Sequence, residues 1–76
     1  MYARLIGEDI ANRVEGPLLF LRRTVDVGLN EAVEVEDASG AVRLGRIAAL
    51  DEDNVTVGML GDTAGLRIDG ARVRFF

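Results

Sequence analysis

The sequence predicts an all-β fold, a small closed barrel of six strands with Greek-key-type connections, and three observations carry that prediction. Apolar and polar residues alternate with a period of two in short runs, as at Ala32, Val33, Glu34, Val35 and Glu36, the pattern of a strand with one buried face. Turn-forming clusters separate such runs at close intervals: Gly16 with Pro17, then residues 37–40, 51–54 and 61–65. At 76 residues the chain has room for one domain over 1–76 and one core. Closing the sheet removes edges that so short a chain could not otherwise protect.

The first residues read two ways. Leu5, Ile6 and Ile10 share one face of a helix, but Gly7 weakens that pattern, and residues 1–11 suit an initial strand or an irregular extra segment equally well. Residues 10–15 read as a strand, punctuated by Gly16 and Pro17. Leu18, Leu19, Phe20 and Leu21 form a continuous apolar run of strand length, which predicts burial on both faces. Leu19 and Phe20 are then the expected core anchors, and truncating a buried Phe20 to alanine would cost about 3–5 kcal/mol. Residues 32–36 form the alternating strand already noted. Residues 37–40 suit a tight hairpin turn, because Gly40 takes positive φ without a Cβ clash. Val42, Leu44 and Ile47 continue as the return strand, with Arg43 and Arg46 on alternate positions. A polar turn at 51–54 leads into a strand at 55–60, a glycine-bounded loop at 61–65, and a last alternating strand at 72–75. Residues 28–35 echo residues 65–73, each with glycine, leucine, a polar turn and an alternating strand. Recurrent turn chemistry accounts for the echo as readily as pseudo-two-fold symmetry does.

Composition narrows the function. The chain is 49% hydrophobic and 29% charged, ordinary for a globular domain and unlike a disordered one. No apolar run approaches the ~20 residues that span a bilayer, so no direct membrane insertion is expected. The opening residues lack the charged and apolar regions of a signal peptide, which points to a cytoplasmic or cytoplasm-facing protein. The net charge is -4, and the aromatics are few, so nucleic acid is not an expected partner. All 9 basic residues are arginine, with lysine, histidine, cysteine, tryptophan and glutamine absent. A GC-rich genome explains this, and so does a designed or reconstructed sequence.

Those absences exclude specific chemistry. A Walker-type phosphate loop needs a lysine beside its glycines. Nucleophile pairs built on histidine cannot form. Only oxygen ligands remain for a metal, and the one cluster to inspect, Asp51, Asp53 and Asn54, has Thr56 where a calcium loop needs its glycine. That cluster reads as a solvated hairpin turn. Glu34 and Glu36 share one strand face, the pattern of a charged surface that resists strand-to-strand aggregation. No catalytic residue, metal or cofactor is therefore expected.

The residues then suggest a family. VEGPLLFL at 14–21 resembles the opening of the N-terminal barrel of the non-catalytic B subunit of vacuolar and archaeal-type rotary ATPases. GLNEAVEVEDASGAVRLGRIAALDEDNVTV at 28–57 is similar to the same domain's acidic strand, hairpin and return strand. MLGDTAGLRIDGARVRF at 59–75 is similar to its closing loop and final strand, with a leucine–glycine–aspartate form that leans toward F-type and secretion-associated ATPases. The resemblance covers residues 12–76. It implies a six-stranded collar barrel, without catalytic residues of its own, whose partners are neighbouring barrels of a hexameric ring. Self-association is the matching expectation for the chain alone. The candidate contact residues are Tyr2, Leu5 and Ile6 near one terminus and Phe75 and Phe76 at the other. An alternative placement puts Phe75 in the core and Phe76 over a barrel mouth. The other function class left open is a stand-alone barrel, designed or binding a small ligand or nucleic acid.

Overall fold

The computed structural model describes residues 5–61 and 70–76. Seven strands form: β1 (Gly7–Ile10), β2 (Arg13–Glu15), β3 (Leu18–Arg22), β4 (Ala32–Glu36), β5 (Val42–Leu50), β6 (Asn54–Met59) and β7 (Arg72–Phe75). They make one antiparallel sheet in the order β1-β7-β4-β5-β6-β3-β2. β1 and β2 are consecutive in the chain yet lie at opposite ends of that order. Only Ala11 and Asn12 separate them, and residues extend at most ~3.6 Å each, so the sheet must curl enough to bring the end of β1 and the start of β2 close together. The two linking amides bond in both directions: Ala11 N–H donates to Ala71 O (2.9 Å) and Asn12 N–H to Phe20 O (2.8 Å).

Local sequence explains the hairpins. Glu15 pairs with Leu18, leaving Gly16 and Pro17 as the turn, and Gly16 takes φ 56°, which a leading turn position accepts readily only from glycine. Between β4 and β5 the Asp37 carboxylate organises the loop. Its Oδ1 accepts from Ser39 N–H (2.9 Å), Ser39 Oγ–H (2.6 Å) and Ala41 N–H (2.9 Å). Between β5 and β6 Asp51 Oδ1 does the same for Asp53 N–H (2.8 Å) and Asn54 N–H (2.7 Å). Each short aspartate side chain satisfies turn amides that have no ladder partner.

The core lies inside the curl. Leu19, Leu21, Val33, Val35, Ile47, Val55, Val57, Val73 and Phe75 are its fully buried large side chains. Cross-strand registers stack them: Val33 against Phe75, Val35 against Val73, Leu19 and Ile47 each against Val57. Gly45 sits in mid-strand because a Cβ there would come within 2.9 Å of Val57 Cγ1 and 3.2 Å of Gly58 O. Between Ile47 and Ala49 a register shift marks a bulge that bends β5 into the curl.

Several expectations change. The single strand expected at 10–15 is divided into β1 and β2, because the chain changes partner from β7 to β3 at Ala11 and Asn12. The apolar run at 18–21 is not buried on both faces. β3 alternates, with Leu19 and Leu21 inward and Phe20 half-buried on the outside, where the Arg13 guanidinium stacks 4.4 Å from the ring centroid. On the return strand Val42 and Leu44 face outward, since the pairing of Val33 with Gly45 turns Gly45 and Ile47 inward. The glycine-bounded loop expected at 61–65 lies, from residue 62 on, outside the described residues.

Candidate functional site: an outward apolar groove

The outer wall of the curl carries two kinds of surface. Across β1, β7 and β4 it is charged. Pairing aligns Glu8 with Arg74 and Arg74 with Glu34. The Glu8 carboxylate lies 3.4 Å from Arg74 Nε and 3.6 Å from an Arg72 nitrogen, and Arg74 reaches Glu34 at 3.8 Å and hydrogen-bonds Glu36. Hydrogen bonding to Glu36, then the charges of Glu36, Glu8 and Glu34, hold the Arg74 guanidinium even more firmly protonated than usual.

Beside this network the wall turns apolar. Leu44 stands opposite Glu34, and Leu60 joins it through a hydrogen bond from Leu60 N–H to Leu44 O (3.1 Å). Leu44 is 59% exposed and Leu60 44%. Phe76 follows the last core residue of β7 and therefore points out, half-buried. Ala32, Val33, Glu34, Leu44 and Phe76 line a shallow groove of about 270 Å³. Ile6, 47% exposed, is brought alongside by the bond from Ile6 N–H to Phe75 O (2.9 Å). An apolar centre bordered by a charged rim is the anatomy of a protein contact.

The expected contact residues separate accordingly. Phe76 lines the groove, while Ile6 is tied to the residue before Phe76 by the bond to Phe75 O, with Leu5, also exposed, next to Ile6 in the chain. Phe75 does not offer a contact: it is buried to 1% on the inner wall, because β7 alternates and places 73 and 75 inward. Tyr2 lies outside the described residues. Sequence reasoning missed Leu44 and Leu60. The signal was the facing glutamate: once Glu34 is read as outward, its register partner Leu44 must be outward too.

A second concavity, about 490 Å³, runs over Asn12, Arg13, Phe20, Asp51, Asn54 and Thr56 among others. Its two charged groups are engaged locally. Arg13 stacks on Phe20 and pairs with Glu15 at 3.5 Å, and Asp51 is occupied by its turn amides. The carboxyl of Asp51 is held below its usual 3.8, first by the Asp53 amide and then by the Asn54 amide. Among the described residues no three histidine, cysteine, aspartate or glutamate side chains gather as a metal set, and no helix is long and apolar enough to cross a membrane.

Comparison with known proteins follows the same outline. The family model described as "ATP synthase alpha/beta family, beta-barrel domain" matches residues 12–76. Over 62 residues the chain is 39% identical to the B subunit of the A-type ATP synthase of Methanothrix thermoacetophila, a match that takes in 82% of this chain and 13% of that protein. The chain thus spans a small part of the length of the relative it matches.

Proposed function

The chain belongs to the ATP synthase alpha/beta family through its β-barrel domain, and from that premise we propose that it is a non-catalytic assembly module. In this reading the sheet is a closed six-stranded barrel, with β1 and β2 acting as the two halves of one bent strand. The bonds of Ala11 to Ala71 and of Asn12 to Phe20 support closure, since they tie the linker to strands near both ends of the sheet. The partners are neighbouring barrels of a ring, or a second copy when the chain is alone, on the cytoplasmic side of a membrane-bound complex. Any nucleotide chemistry belongs to other parts of such an assembly.

The observation that carries this reading is the groove at Leu44 and Phe76. Two outward leucines and Phe76 leave apolar surface in water beside a saturated ion-pair network. The groove is small against the ~800 Å² per partner of a stable interface, so the isolated chain should associate weakly. Light scattering over a hundredfold concentration range should show mass rising with concentration and persisting in high salt. Leu44→Arg should hold the chain monomeric with a melting temperature no lower than the original, because Leu44 is outside the core and an arginine there faces Glu34 across the ladder. A constant monomer mass in the unsubstituted chain would overturn the assembly reading. Association that vanished in high salt would replace the groove by the arginine and carboxylate groups.

A further inference from the structure

β1 is attached to the molecule mainly through backbone and charge. It ends the sheet order, with β7 as its only paired neighbour among the described residues. None of its side chains is fully buried, and the core cluster includes no residue of it. Ile6 and Ile10, before and at its end, are about half exposed. What holds β1 is the ladder to β7, the bond from Ile6 N–H to Phe75 O (2.9 Å), Glu8 set between Arg72 (3.6 Å) and Arg74 (3.4 Å), and one apolar contact, Val25 closing over Gly7. Withdrawing β1 leaves no buried charge without a partner. Arg74 keeps Glu34 and Glu36, while Glu8 and Arg72 are open enough to be hydrated.

The same withdrawal bares the edge of β7, and an unpaired edge is a template for another extended segment. The connection favours that outcome. Only Ala11 and Asn12 join β1 to β2, and across them the chain must leave β3's side of the sheet for β7's. Short connectors that force a sharp change of partner favour exchange between copies, because the bend relaxes in the exchanged form.

We propose that β1 is an exchangeable strand, which straightens about Ala11 and Asn12 and seats on β7 of a second copy, giving a reciprocal strand-swapped dimer. Each copy regains the ladder it gave up, with Glu8 again facing Arg72 and Arg74. The exchanged and closed forms therefore contain the same contacts and differ chiefly in the bend and in the entropy of association. This contact is independent of the groove at Leu44 and Phe76, which stays outward in both forms.

The absence of cysteine allows a direct test. Ile10 and Arg72 are register partners, so Ile10→Cys and Arg72→Cys mark the two sides of the exchanging ladder. Neither single variant can close a disulfide within its own chain. An isotopically heavy Ile10→Cys chain is mixed with a light Arg72→Cys chain at high concentration, passed briefly through partial denaturant, oxidised, and weighed intact. The mixed heavy–light disulfide should dominate over like-with-like products. Dimers in random proportion, as groove contacts would produce, or no linked dimer at all, would overturn the proposal. Two glycines inserted between Ala11 and Asn12 in both variants should abolish the mixed product, since slack lets each β1 return to its own β7. Persistence of that product despite the slack would also overturn it.

Discussion

Phe75 packs on the inner wall in register with Val33 and belongs to the core cluster, while Phe20 lies on the outer wall beneath the Arg13 guanidinium. The same substitution should therefore have different costs at the two positions. Phe75→Ala removes a fully buried ring and leaves a cavity, a loss of about 3–5 kcal/mol, comparable to the total stability of so small a domain. Phe20→Ala gives up partial burial and one cation–π contact, together about 1–2 kcal/mol. Denaturant titration should show Phe75→Ala largely unfolded in buffer and Phe20→Ala folded with a lower midpoint. Equal midpoints would mean that the inward and outward assignments of β3 and β7 are wrong. Gly45 marks the same logic at the smallest scale, a strand position emptied so that the side chains of Val33 and Val57 can meet above it.

At the scale of an element, the turn between β5 and β6 makes stability depend on pH. Asp51 accepts the amides of Asp53 and Asn54, and those bonds favour its charged form. Its carboxyl is therefore more acidic folded than unfolded, so its contribution is fully present above the usual 3.8 and is lost as pH falls through the lower folded value. Asp51→Asn keeps an acceptor oxygen but not the charge. The melting temperature of the original chain should exceed that of Asp51→Asn at neutral pH, and the gap should shrink to nothing in strong acid. A gap independent of pH would show that turn geometry, and not ionisation, is what the carboxylate supplies. The Asp37 loop uses the same arrangement of one Oδ1 and successive amides, in a more buried setting.

For the molecule as a whole, the sequence lacks lysine and histidine, and the charged groups of the larger concavity, Arg13 and Asp51, already have partners within the chain. The chain should not bind magnesium–ATP. Calorimetry with millimolar nucleotide should give heats of dilution alone, and a saturable heat would require a phosphate site that these residues do not form. The two proposed routes to association differ in kind: the groove would give fast, weak, face-on contact, and β1 slow exchange through partial opening.

Much of the fold was legible along the chain, because the cues involved are local. Period-two alternation marked β4 and β7, and glycine, proline and aspartate marked the hairpins, since both depend only on near neighbours. The resemblance to the family rested on particular stretches such as VEGPLLFL at 14–21, and the family model matches over residues 12–76. Which way Phe20, Leu44 and Phe75 face was not local. A continuous apolar run such as Leu18 to Leu21 fits either burial on both faces or simple alternation, and pairing with β2 and β6 decided for alternation. Leu44 reads as a core residue until its register with Glu34 turns it outward, and that register is set by where Gly45 must meet Val33. The division of one expected strand into β1 and β2 likewise arises only when the sheet curls and its distant ends must share a single stretch of chain. Alternation says that two faces exist, and long-range pairing decides which of them is the inside.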